Sequence, residues 1–318
     1  MIRGLVKAAA SWCIAQAPLG PERYHELTRR WLGSQGVVVQ KLQKSWPGYV
    51  GAWANLCQFS LERGDRVWVY DAGVVPFGMV AAYLLTGHGG VLSSSDATAP
   101  LGRYVADAVR AACVAFPEAV AARQSLDPKG FRALESARSL AELIAATGGV
   151  VLQHGRGVSI PLGDQSVRLC HSNGALEHHT PRALDVFIQE CLRVLRPGGL
   201  ASHIFDHRDH LRHFDRSWPF LAHMALPNGL YRAAFDHPLL YHNRLTAAEV
   251  EARFASAGFV KVASRRFILP QYHYVVSDEE VMEGERGVRW RVPGTPSWRL
   301  GEQEVRTAAT HLLYRKPG

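Results

Sequence analysis

An α/β fold with a mostly parallel sheet flanked by helices is what this sequence predicts, and three observations predict it. Strand-length runs of β-branched and aromatic residues alternate with longer helical stretches. One such strand runs into a glycine-containing turn and then a helix, the order a nucleotide site needs. The strand after that helix closes on an acid. With 318 residues and 47% hydrophobic content, the chain can fill one large domain carrying insertions. It shows no internal repeat and no low-complexity linker, so a single core domain is the simplest organisation.

The elements follow in order. Residues Gly4 to Leu19 are small and apolar but are interrupted by Lys7 and too short to span a bilayer. They read as an amphipathic helix that packs on the domain, with peripheral membrane contact as the alternative. From Pro21 to about Leu61 apolar residues recur three and four apart, so residues 1–62 are expected to form an N-terminal helical cap. Gly64-Asp65-Arg66 is a turn, and Val67-Trp68-Val69-Tyr70 is the first core strand. The punctuated stretch Asp71 to Gly78 precedes a helix over Met79 to Leu85. Val91-Leu92 then leads through serines to Asp96 and completes one βαβ unit.

Between about 100 and 148 the pattern is helical and longer than an ordinary crossover, which suggests an inserted helical pair. Val150-Val151-Leu152 and Ser166 to Ser172 read as strands. Pro181 to Leu195 is an amphipathic helix stopped by Pro197-Gly198-Gly199, and Leu200 to Phe205 is the following strand. Residues 206–245 are rich in His and aromatics with weak periodicity, as expected of an inserted substrate cap over the carboxyl ends of the strands. Thr246 to Glu249 is a capping box opening a helix that ends at Gly258. Phe259 to Ile268, Val288 to Val292 and His311 to Tyr314 supply late strands.

Net charge is +8, but the arginines are scattered and form no dense basic block, so a small-molecule partner is expected and nucleic acid is not. The five cysteines, Cys13, Cys57, Cys113, Cys170 and Cys191, are widely spaced with no C-x-x-C pair. A reducing cytoplasm and no metal are the corresponding expectations.

The run Pro161-Leu-Gly-Asp164 through Leu176-Glu177-His178, followed by Glu190, Arg193 and Pro197-Gly198-Gly199, resembles the second half of class I methyltransferases of the type 11-like branch. The likeness extends from about Arg66 to Ile268. It implies a Rossmann-like seven-stranded, mostly parallel sheet, a methyltransferase domain over 63–318, and S-adenosyl-L-methionine as cofactor. The implied reaction is methyl transfer to an O or N atom of a small molecule or biosynthetic intermediate. By the same resemblance Asp71, Gly73 and Gly78 belong to the cofactor loop and its helix, Asp96 ends the second strand, and Asn173 ends the fourth. A glycine lets backbone N–H groups approach a ligand, and a carboxylate ending that second strand can accept both ribose hydroxyls.

The His- and Asp-rich stretch from Ser202 to Asp215 resembles a segment found in a bacterial branch of the family. Imidazole takes a proton near neutral pH and a carboxylate orients it, so His203, Asp206 and His210 are candidates for the catalytic base group, with His178 beside them. Two positions depart from the family pattern. Val74, Val75 and Pro76 stand where a second loop glycine is usual, and His154-Gly155-Arg156 stand where an adenine-binding acid is usual. Those departures motivate an alternative, a non-methylating descendant that is cyclase-like or only binds. An NAD-dependent enzyme is disfavoured because the G-x-G-x-x-G fingerprint is absent.

Overall fold

A computed structural model describes residues 61–70, 75–94, 102–153, 160–209, 221–236, 241–268 and 307–318, with single positions 23, 26, 27, 100, 295, 296 and 300. The seven strands are β1 Val67–Tyr70, β2 Val91–Ser94, β3 Val150–Gln153, β4 Val167–Asn173, β5 Leu195–Asp206, β6 Val260–Ile268 and β7 Thr307–Arg315. They form one sheet in the order β3-β2-β1-β4-β5-β7-β6. The first five are parallel, and β7 alone runs against both of its neighbours. This is the Rossmann-like, mostly parallel sheet that the sequence predicts.

β1 is buried at every position, as a central parallel strand covered on both faces must be. Its alternation divides the core. Val67 and Val69 join one apolar cluster and Trp68 and Tyr70 the other. The polar edge of Trp68 is satisfied within the second cluster, where its Nε1 donates to Ser93 Oγ at 2.6 Å.

Helix α1, Phe77–Thr86, carries the chain from β1 to β2 and closes on Gly87, whose φ of 86° suits glycine. The inserted segment holds four short helices rather than a pair: α2 Val105–Ala115, α3 Pro117–Leu126, α4 Pro128–Ser136 and α5 Leu140–Thr147. Prolines mark the cuts. Pro117 and Pro128 each occupy a first turn, where a missing N–H costs nothing, and so begin new helices. Asp127 caps α4 through the Gly130 amide, and Ser139 with Glu142 forms a capping box on α5.

The second half continues with α6 Pro181–Val194, capped by Thr180. Here a boundary differs from expectation. β5 begins at Leu195, so Pro197-Gly198-Gly199 lies inside the strand. A register shift between Val167 and Leu169 accommodates the kink, Gly198 adopts φ 73°, and Arg168 Nη1 donates to the Gly198 carbonyl at 2.6 Å. Two short helices, α7 Ala222–Ala225 and α8 Asn228–Phe235, precede α9 Ala247–Ser256, which opens on the expected Thr246–Glu249 capping box.

Of the expected N-terminal helical cap, Arg23, Glu26 and Leu27 are described and are helical, and the rest up to residue 60 lies outside the described residues. So does the strand expected at Val288 to Val292. Among the described residues no helix is long and apolar enough to cross a membrane.

Candidate active site

Strand order reverses between β1 and β4, and in an open parallel sheet that reversal opens a crevice beyond the carboxyl ends of the two strands. Tyr70 ends β1 and Asn173 ends β4. Gly174 turns the chain at φ 65° into a short 3-10 turn, Leu176–His178. A buried pair bridges the two strand ends. Tyr70 Oη lies 2.5 Å from His179 Nε2, while His179 Nδ1 lies 3.1 Å from the Ala175 carbonyl. A carbonyl only accepts, so Nδ1 carries the hydrogen and Nε2 receives the Tyr70 hydroxyl. The floor of the crevice is therefore tied together by one tyrosine and one fixed tautomer.

Residues 241–246 clamp the same turn from above. Asn243 Nδ2 donates to the carbonyls of Leu176 and His179 at 2.9 and 3.1 Å, and its amide donates to the Glu177 carbonyl at 2.6 Å. His178 Nδ1 donates to the Tyr241 carbonyl at 2.8 Å, which places the lone pair of the neutral ring on Nε2. The His178 ring is only half-buried and lies 6.3 Å from the ring of His242. His242 sits between two carbonyls, with Nδ1 2.8 Å from that of Asn243 and Nε2 3.0 Å from that of Asp206. Burial, then the neighbouring His223 and His178 rings, hold its pKa well below the usual imidazole value.

The His- and Asp-rich stretch separates into distinct environments. His203 is fully buried on β5, its ring against Phe187 at 5.3 Å and Phe254 at 5.5 Å, which places it in the core rather than in the crevice. Burial drives its pKa far below the usual value, so the ring is neutral. Asp206 ends β5 in a forked pair with Arg208, Nε at 2.9 Å and Nη2 at 2.6 Å, an arrangement that stabilises the carboxylate and makes it a poor proton acceptor. Asp209 is buried, accepts the His223 amide at 2.7 Å and lies 3.6 Å from His223 Nδ1. His210 lies outside the described residues.

A cavity of about 20 Å³ sits among these groups, lined by His207, His223, His242, Thr246, Leu300 and Thr307. It holds about one water-sized group and is far too small for a substrate.

The cofactor residues divide likewise. Asp71, Gly73, Asp96 and the His154–Arg156 stretch lie outside the described residues. Gly78 lies in the first turn of α1 with its Cα against β1, where an added Cβ would stand 2.8 Å from Val69 Cγ1. Asn173 is half-buried at the end of β4, beside the crevice. Val75, one of the residues standing where a second loop glycine is usual, is buried in the apolar cluster with Val69 and Phe77. Ser94, at the carboxyl end of β2, keeps a buried Oγ without a hydrogen-bond partner among the described residues.

Sequence reasoning missed Tyr70, His179 and Asn243. The first two adjoin residues it singled out, Asp71 and His178, but nothing in a linear pattern reveals a contact between them. It also missed that Cys170 and Cys191, far apart in sequence, meet with His203 in the core.

Residues 125–202 match the family described as the methyltransferase domain. That match covers a quarter of the chain, from the end of α3 into β5, and contains the whole β4–α6 run. That segment is similar to the methyltransferase domain, and the sheet it contributes to is Rossmann-like and mostly parallel. No curated protein matches it at a significant level.

Solved structures similar to this chain include a putative methyltransferase from Haloferax volcanii in complex with the Trm112 methyltransferase activator. It is 14% identical, with 91% of this chain and 97% of that chain covered and a TM-score of 0.48. Another is phosphoethanolamine N-methyltransferase 2 of Haemonchus contortus with S-adenosyl-L-methionine, 12% identical, covering 84% and 52% of the two chains at a TM-score of 0.44. A third is geranyl diphosphate C-methyltransferase of Streptomyces coelicolor A3(2) with Mg2+, geranyl diphosphate and S-adenosyl-L-homocysteine, 13% identical, covering 84% and 79% at 0.41.

Proposed function

We propose that the protein is an S-adenosyl-L-methionine-dependent methyltransferase that methylates an O or N atom of a small molecule or biosynthetic intermediate. The observation that carries this reading is the sheet order with its single reversed strand, to which the matched segment contributes β3 at one edge and β4 beside the point of reversal. The residues present fit such a cofactor. Ser94 Oγ, at the carboxyl end of the neighbouring strand β2, is buried with no hydrogen-bond partner among the described residues, and Val75 is packed in the core. Asp71, Gly73 and Gly78 would hold the methionine end, Asp96 the ribose, and Asn173 the opposite wall. When bound, the cofactor supplies a methyl group already activated on a sulfonium sulfur.

What remains for the protein is to align the acceptor and remove its proton. Of the four candidate groups, His178 suits that task best. Its ring is half-buried on the turn that follows β4, and its Nδ1–H is spent on the Tyr241 carbonyl, so Nε2 is the basic atom. Tyr70 and His179 hold the turn that carries it. The non-methylating alternative loses a main motive with Val75 packed in the core.

Calorimetric titration with S-adenosylmethionine and S-adenosylhomocysteine tests the cofactor assignment. Micromolar binding that Asp96→Ala abolishes is expected, whereas failure to bind either ligand sinks the methyltransferase reading in favour of the alternative. Once an acceptor is found, His178→Ala should leave cofactor binding intact and slow methyl transfer on the order of 10²-fold. An unchanged rate would remove His178 as the base.

A further inference from the structure

A group of side chains unrelated to the crevice lies in the core between the sheet and α6. Cys170 and Ser172 point to one face of β4, and the strand register sets Cys170 beside Ala201 and Ser172 beside His203 of β5. On α6, Cys191 follows Phe187 by one turn, and Phe187 packs on the His203 ring. The two sulfurs lie 3.2 Å apart, and one ligand atom from each of Cys170, Cys191 and His203 lies within 4.8 Å of the others. All three residues are fully buried.

The histidine supplies the second, independent observation. Its Nδ1 is engaged by Ser172 Oγ at 2.8 Å, but its Nε2 is buried with no hydrogen-bond partner among the described residues. A buried polar atom left in this state is costly, and an imidazole nitrogen oriented through its other nitrogen is the usual arrangement of a metal ligand.

We propose that Cys170, Cys191 and His203 form a structural site for a soft closed-shell cation, Zn2+ or Cu+. Thiolate and imidazole donors select such ions. The charge balances in either case. Zn2+ displaces the protons of both thiols and leaves a neutral cluster, and Cu+ displaces one and leaves the other. Burial, then the neighbouring Cys170 thiol, pushes the Cys191 thiol up. Metal–sulfur bonds of about 2.3 Å at a tetrahedral angle need the sulfurs roughly 3.8 Å apart, so the pair opens by about half an ångström on loading. Since the site has no exposed atom, the ion enters as the protein folds and leaves slowly. It would staple β4 and β5 to α6, behind the crevice rather than in it.

The test uses the full chain without an affinity tag, refolded in Zn2+, in Cu+ under anaerobic conditions, or in chelator, and then freed of loose metal by gel filtration. About one equivalent of one ion per chain is expected, with a melting temperature several degrees above that of the chelator sample. Cys191→Ala should lower bound metal at least tenfold, while Cys113→Ala, at a thiol remote from the trio, should retain it. Retention of metal by Cys191→Ala overturns the proposal. So does wild-type protein that holds neither ion and melts identically in metal and chelator, a result independent of whether the variant folds. Thiol titration in denaturant gives a further check: the chain has five cysteines. A purified protein in which the pair is oxidised to a disulfide, so that two thiols are missing, also overturns it.

Discussion

His207 and His311 sit on the β5–β7 seam, each against a hydroxyl: His207 Nε2 is 2.9 Å from Thr310 Oγ1 and His311 Nε2 is 2.9 Å from Ser202 Oγ. Burial pushes both pKa values down to about 4, and that of His171 to about 3. The unfolded chain takes up protons at these positions near pH 6.5, and the folded protein does so only below about 4. Stability is therefore full above about pH 6.5 and is lost as the pH falls toward 4. A pKa gap of this size corresponds to about 3 kcal/mol per ring at the acid limit. His207→Gln, which keeps a polar partner for Thr310, should flatten the loss between pH 7 and 4.5 by on the order of 2 kcal/mol in urea titrations at each pH. An unchanged slope would mean that the buried ring does not report on acid stability. A run of histidines in sequence suggested catalysis, yet only burial separates half-buried His178 from His203 and His207 inside. Which rings are enclosed depends on β7 and α9, contributed from far along the chain, and so was not legible at the positions themselves.

Helix α1 shows what local pattern can and cannot reveal. The strand–turn–helix order was plain from Val67 through Leu85, because a continuous apolar run and a punctuated turn are properties of neighbouring residues. The tightness of the packing at Gly78 was not, since it depends on where Val69 lies across the interface. An Ala Cβ there meets Val69 Cγ1 at 2.8 Å and Cγ2 at 3.1 Å, and Val69 is enclosed with little room to yield. Gly78→Ala should cost about 1–3 kcal/mol in equilibrium denaturation. Adding Val69→Ala removes the clash, so the two substitutions together should destabilise by less than their separate costs combined. If Gly78 also serves the cofactor, ligand affinity stays low in the double variant even though packing is relieved. The inserted helices teach the same lesson: the helical pattern over the insertion suggested a pair, and the structure holds four because Pro117 and Pro128 each start a new helix.

The two apolar clusters determine how the parts of the protein depend on one another. Val105 and Ala108 of α2, Phe131 and Leu134 of α4, and Leu143 of α5 belong to one cluster with Val67 and Val69 of β1 and the buried face of α1. Tyr83 of α1 donates to Asp127 at 2.9 Å, where α3 gives way to α4, and the Arg123 guanidinium lies over the Tyr83 ring at 5.5 Å. The inserted helices have no separate core and complete one face of the sheet. Leu134 is fully buried, so Leu134→Ala leaves a cavity that should cost about 2–5 kcal/mol. Because the cluster is shared, that loss should shift a single unfolding transition, recorded alike by far-ultraviolet circular dichroism and, in a variant that keeps Trp68 as its one tryptophan, by fluorescence from the other side of the sheet. A variant whose circular dichroism transition moves while the fluorescence transition stays in place would show the helices to be an autonomous unit. Coincident shifts would show that one face of the sheet cannot loosen without the other, so that the crevice at the strand ends takes its stability from helices that do not line it.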